Sequence, residues 1–131
     1  MLSATTITTA VANQVGSTIS IRNVRYMVVS ATLTYGSGGT NAKAWVQTSL
    51  DGGTTWIDIA EFTFTPATAT RLYSLDTTAL TTQYTPTDAT LSANTCKNGI
   101  LGDKFRVKYT TTGTYAGSTT LAVNAVFSRW Q

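Results

Sequence analysis

The chain reads as an all-β protein, a single antiparallel β-sandwich of jelly-roll type with about eight strands and little helix. Three observations predict it. Threonine supplies 29 of the 131 residues, and a β-branched side chain that also hydrogen-bonds suits the exposed face of a strand better than a helix. Apolar and polar residues alternate in several runs, whereas no stretch of ten or more residues keeps a helical apolar period. The ten glycines and two prolines fall where that alternation stops, which cuts the chain into the short runs of a sandwich, jelly roll or small barrel.

The elements follow in order. Residues 1–16, MLSATTITTAVANQVG, alternate as a strand does; they are either the first strand of the domain or an extended N-terminal arm that pairs with a sheet edge or lies on a partner. MVVSATLTYG places Met27, Val29, Ala31, Leu33 and Tyr35 on one face, a half-buried strand. GSGGTN, residues 36–41, supplies a turn, and AKAWVQTSL follows as the partner strand. After the DGG turn come TWIDIAEFTF, a link at Pro66, and TRLYSL, residues 70–75. Residues 76–102 read as a long ordered loop with one short strand, anchored at Leu80, Tyr84, Leu91 and Ile100; a stretch of that length has a job or hides an element. Finally, Phe105, Val107 and Tyr109 alternate with Lys104, Arg106 and Lys108, and Leu121, Val123, Ala125 and Phe127 form a second alternating run. These two runs are expected to pair as a hairpin across TTTGTYAGS. Nothing divides residues 1–131 into more than one domain.

Composition removes several function classes. There is no histidine, which excludes Ser-His-Asp and Cys-His nucleophilic systems and His-containing zinc sites. The single cysteine, Cys96, excludes an intrachain disulfide and thiolate zinc sites; it is either a buried inert thiol or an exposed one. Charged residues are only 11%, against about 25% in an average soluble protein. The net charge of +3 is spread from Arg22 to Arg129, a mildly basic surface rather than a nucleic-acid signature. No segment approaches the roughly 20 apolar residues of a membrane span, and the N-terminal residues lack the basic start of a secretory signal.

Among six carboxylates, Asp51, Asp58 and Glu61 lie close together, and a glycosidase needs only a pair. In a regular strand Asp58 and Glu61 point to opposite faces, so the expectation is no catalytic residue, no cofactor and no metal. Lys104, Arg106 and Lys108 are a candidate partner-binding face, read as a solvated outer surface, a contact for an acidic protein or, least favoured, a nucleic-acid contact. Trp45, Trp56 and Trp130 suit core packing or a subunit contact better than sugar stacking.

One local motif is sharp. SLDGGTTW, with Ser49, Asp51, Gly53 and Trp56, resembles the Asp-box, the β-hairpin motif of sialidases and other propeller proteins. The resemblance implies a structural turn in which Ser49 and Asp51 brace the backbone, Gly takes an unusual φ, and Trp56 packs beneath the hairpin. A propeller needs several copies on a longer chain, and this chain has one, so a sialidase is excluded. The whole chain, with WVQTSLDGGTTWIDIAEFTF and NGILGDKFRVKYTTTGTYAGSTTLAVNAVFSRW, resembles small virion proteins of tailed bacteriophages. That resemblance implies a non-catalytic structural protein assembled in the host cytoplasm. A capsid decoration (cement) protein is preferred, a homo-oligomer with a trimer favoured, seated on the major capsid protein or other virion proteins. A neck or tail component and a carbohydrate-binding sandwich for host adsorption are the alternatives.

Overall fold

The computed structural model describes residues 1–78 and 82–130. Leu80, expected as an anchor of the long loop, lies outside the described residues. Among those described there is no helix. The strands are β1 (Leu2–Thr6), β2 (Val11–Val15), β3 (Ile19–Ser20), β4 (Val24–Thr34), β5 (Ser37–Gly38), β6 (Asn41–Ser49), β7 (Ile57–Phe64), β8 (Ala69–Asp76), β9 (Lys104–Thr112), β10 (Tyr115–Ala116) and β11 (Thr120–Arg129). Three are two-residue pairs, so the eight longer strands form the body of an antiparallel β-sandwich.

One sheet runs β1-β11-β4-β8, and the other runs β2-β9-β6-β7 with β3 also paired to β9. Side-chain alternation fills the space between them. Met27, Val29 and Leu33 of β4 and Leu121 and Val123 of β11 face Ala44 and Val46 of β6, Phe62 of β7 and Phe105 and Val107 of β9, all fully buried in one cluster. Tilted ring pairs join the two layers, Phe62 with Tyr73 and Phe105 with Phe127, each with centroids 4.9 Å apart, a favourable aromatic geometry.

The strand positions agree with the alternation, but two expected pairings do not form. AKAWVQTSL is not the partner of β4: β6 pairs with β7 and β9, while β4 pairs with β11 and β8. Nor do β9 and β11 make a hairpin, because they lie in different sheets. The two Gly-rich links are corners between sheets. Their short strands β5 and β10 pair with each other, Tyr115 opposite Gly38 and Ala116 opposite Ser37. The links approach so closely that a Cβ at Gly36 would overlap the Gly117 carbonyl, and one at Gly39 would overlap the Tyr115 ring. Glycine serves here for close approach rather than for a two-residue turn. The DGG segment does join a true hairpin, β6 to β7.

Residues 1–16 take edge positions in both layers, β1 against β11 and β2 against β9, so the segment considered as an arm is paired within its own chain. The long link between β8 and β9 contains no strand among its described residues, only a bridge between Cys96 and Ala60. It lies over the outer face of β6, β7 and β9, and its amides and carbonyls serve the open edge of β7: Glu61 N donates to Thr95 O at 2.8 Å, Lys97 N to Ile59 O at 2.8 Å, and Asp58 N to Thr87 O at 2.9 Å. An edge that would otherwise template another chain is thereby covered.

Candidate functional site

The most polar interior of the molecule lies under that link. Asp58 and Glu61 are both fully buried, and both face the link, contrary to the opposite faces expected of a regular strand. The cause is a β-bulge: Val46 pairs with Ala60 and Gln47 with Asp58, so Ile59 has no partner and the alternation resets between the two carboxylates. An extra residue in one strand re-aims the side chains that follow it.

Asp58 is saturated with donors. Its Oδ1 accepts from Gln47 Nε2 at 2.8 Å and Ala89 N at 2.9 Å; its Oδ2 accepts from Thr87 Oγ1 at 2.9 Å, Thr90 N at 3.0 Å and Leu91 N at 3.2 Å. Its own carbonyl accepts from the Tyr84 hydroxyl at 3.0 Å. Three successive amides on one carboxylate fix the path of residues 89–91, and Ala89 has the left-handed φ of 58° that this requires. Glu61 does the same one turn of the link later, accepting from Asn94 N and from Thr63 Oγ1, while Asn94 Oδ1 accepts from Thr63 N at 3.1 Å. Burial pushes the Glu61 carboxyl above its ordinary value, partly opposed by its hydrogen bonds and by Lys43.

A chain of charges extends from Asp58 along the sheet. Gln47, fully buried on β6, also donates to Asp88 Oδ1 at 2.6 Å and accepts from Arg106 Nε at 2.8 Å. That guanidinium donor fixes which end of the amide is oxygen. Asp88 takes a second donor, Lys108 Nζ, at 2.7 Å. Burial alone would raise the Asp88 carboxyl, but the Lys108 and Gln47 hydrogen bonds outweigh it and hold it below its usual value. Arg106 lies over the Trp56 ring, 4.1 Å from its centroid, and burial draws its guanidinium below the usual arginine value.

The three cations of the candidate partner face are therefore not a freely solvated row. Arg106 and Lys108 are enlisted in holding the link, with the Lys108 side chain only 14% exposed. Lys104, at the strand end, reaches Ser20 Oγ at 2.9 Å. Gln47 and Asp88 carried no signal in the sequence, because a polar residue on the outward face of a strand reads as solvated unless a cover is known.

The SLDGGTTW turn is braced from within. Ser49 Oγ donates to Asp51 Oδ1 at 2.8 Å and accepts from Gly53 N at 2.8 Å; Asp51 Oδ1 also accepts from Thr54 N at 3.1 Å and Thr55 N at 2.8 Å. Gly52 and Gly53 have φ of 72° and 99°, where glycine is favoured. Hydrogen bonds from Thr55, chiefly its amide, and then from Ser49 lower the Asp51 carboxyl to about 2. Trp56 lies against Arg106 of β9, so this turn and the polar chain share one residue contact.

The remaining aromatic and thiol positions separate clearly. Trp45 is buried beneath the link and its Nε1 donates to Leu91 O at 3.2 Å, which removes it as a glycan-stacking residue. Trp130 is 52% exposed with Arg25 over its ring at 4.6 Å. Cys96 is half-buried and free, and burial raises its thiol above the ordinary value. Two open hollows of about 480 and 580 Å³ meet at the end of the sandwich that carries Arg22, Asp103 and Trp130.

The arrangement under the link is the chemistry of a clamp. Both oxygens of Asp58 are occupied by donors, and a general base needs a lone pair directed at substrate. Among the described residues no three His, Cys, Asp or Glu side chains gather as metal ligands. Comparisons with protein-family models, curated proteins and solved structures find no match to this chain.

Proposed function

We propose that this chain is a non-catalytic structural protein of a bacteriophage virion, a decoration protein that binds the assembled head as a homo-oligomer. The observation that carries the reading is the clamp. The two fully buried carboxylates, Asp58 and Glu61, hold a long link onto a sheet, an investment in a rigid body rather than in a reacting centre. The strand orders β1-β11-β4-β8 and β2-β9-β6-β7 support the jelly-roll reading, because consecutive strands change sheet at every long connection except the β6–β7 hairpin. Self-association is supported by the other layer, whose outer face is left bare. Val28, Ser30, Thr32, Leu72, Asn124 and Val126 lie there, with Leu72 62% and Val126 74% exposed, and Asp76 is the charged residue at the end of this face, so a second copy can be apposed over its uncharged middle. A protein that binds only the assembled shell stabilises it by mass action.

The test is co-sedimentation of purified protein with empty expanded capsids and, separately, with purified tails. Saturable binding to capsids at fixed stoichiometry is expected. Binding to tails alone would replace the head by a neck or tail position. Glycan-array signals abolished by Trp130→Ala, with no particle binding, would replace both by host adsorption.

A further inference from the structure

At the end of the sandwich remote from the β5–β10 corner, two hollows are both lined by Arg22 and Asp103 and adjoin there as one groove. Its cations are Arg22, Lys104 and Arg129. Among the described residues the one ion pair is Lys108 with Asp88, so these three have no carboxylate partner there. The Arg129 Nε donates to the Arg22 carbonyl at 3.1 Å, which ties the Arg129 guanidinium to the backbone at the mouth of the groove. Asp103 Oδ1 is buried and accepts no hydrogen bond. The rim is apolar: Leu50 is 64% and Trp130 52% exposed.

We propose that this groove binds a carboxylate-bearing peptide segment of a protein partner. An extended peptide answers the charge and the rim together: an Asp or Glu side chain for Arg22, Lys104 and Arg129, and an apolar side chain for Leu50 and Trp130. An acidic saccharide fits less well, since Arg25 already covers one face of the Trp130 ring and Leu50 offers a hydroxyl nothing. The partner's identity as a virion protein rests on the function proposed above; the groove's chemistry does not.

The probe is a set of fluorescent hexapeptides alternating Glu with Leu, their Gln-Leu isosteres, and an oligogalacturonate, titrated by anisotropy at low and at physiological salt. The Glu-Leu peptide is expected to bind, the Gln-Leu peptide at least tenfold more weakly, and added salt to weaken the former. Arg22→Gln with Lys104→Gln is expected to lower the affinity about tenfold, while Arg71→Gln on the edge strand β8 changes it less than twofold; unchanged circular dichroism shows that each variant folds. Equal losses for the groove and β8 variants would show only bulk charge attraction and overturn the proposal, as would preference for the oligogalacturonate. If the groove variants lose the peptide but decorate particles as the parent does, the assignment of the groove to a virion partner is overturned while the decoration reading stands. If the peptide binds as expected and no particle does, the reverse holds.

Discussion

The Gln47 side-chain amide reaches Asp88 across 2.6 Å, joining the middle of β6 to a link residue far along the chain, and with its second contact it holds Asp58 at 2.8 Å. One neutral side chain thus sits between two carboxylates and an arginine, donating to the acids and accepting from the base. This works only because the amide is bipolar. A carboxylate at this position would be a third negative charge facing Asp58 and Asp88.

Replacement of the clamp's centre gives the first prediction. Asp58→Asn keeps the shape but turns one acceptor into a donor that faces amides already donating. Leaving buried donors unpaired costs about 1–3 kcal/mol each, and with some relaxation the expected loss is about 3 kcal/mol, read as a lowered urea midpoint. Amide exchange at Ala89, Thr90 and Leu91 is expected to accelerate more than exchange in β4. Uniform acceleration across the molecule would mean that the link is not held chiefly by this carboxylate.

Two carboxylates give opposite pH dependences. Asp51 has a depressed folded-state value of about 2, so its contribution is present above its unfolded value near 3.8 and is lost as pH falls from there through about 2. Glu61 has a raised value, so its contribution is present below its unfolded value near 4.5 and is lost as pH rises through the folded one. Denaturation midpoints between pH 2 and 8 are expected to show Asp51→Ala flattening the acid limb and Glu61→Gln flattening the limb above pH 4.5. Exchange of those two effects would overturn both assignments.

Much of the fold was legible because side-chain alternation reports which face of a strand is buried, and Leu121, Val123, Phe105 and Val107 all face inward as their spacing requires. Pairing was legible only at the β6–β7 hairpin across the DGG turn. A strand that turns back in a hairpin and one that crosses to the opposite sheet have the same alternation and the same Gly-rich exit, so GSGGTN and TTTGTYAGS read as hairpin turns. The polar clamp was hidden for a related reason. It depends on the bulge at Ile59 and on a cover formed by distant residues, and neither leaves a periodic trace. The side-chain bonds that brace the SLDGGTTW turn lie within its own short span, so a local pattern can carry them, whereas its contacts with Asp103 and Arg106 leave no local trace.

A hairpin glycine and a corner glycine separate steric need from backbone need. Gly52 and Gly39 both have positive φ, 72° and 71°, but a Cβ at Gly52 meets nothing whereas one at Gly39 runs into the Tyr115 ring. Gly52→Ala is expected to cost about 1–2 kcal/mol, the left-handed penalty of an ordinary residue. Gly39→Ala adds displacement of a buried tyrosine and is expected to lower the thermal midpoint further. Equal midpoints for the two variants would show that the corner gives way around Tyr115.

Trp45→Ala decides whether this tryptophan is part of the fold or of a binding surface. The side chain is 7% exposed, lies on the outward side of β6, and is held to Leu91 O at 3.2 Å. Removing it leaves a cavity under the link and an unanswered carbonyl, for which about 4 kcal/mol is expected from large-to-small substitutions of buried aromatics. The exposed Trp130→Ala is expected to stay within about 0.5 kcal/mol, as surface substitutions do. Chemical denaturation of both variants, with limited proteolysis across 82–103, makes the comparison. Trp45→Ala should be cut in that link before the sheets unfold, because the tryptophan and Asp58 fasten the same span from two sides. A Trp45→Ala protein with parental stability and a protected link would mean that the carboxylate clamp alone is sufficient and that the ring is a passive filler.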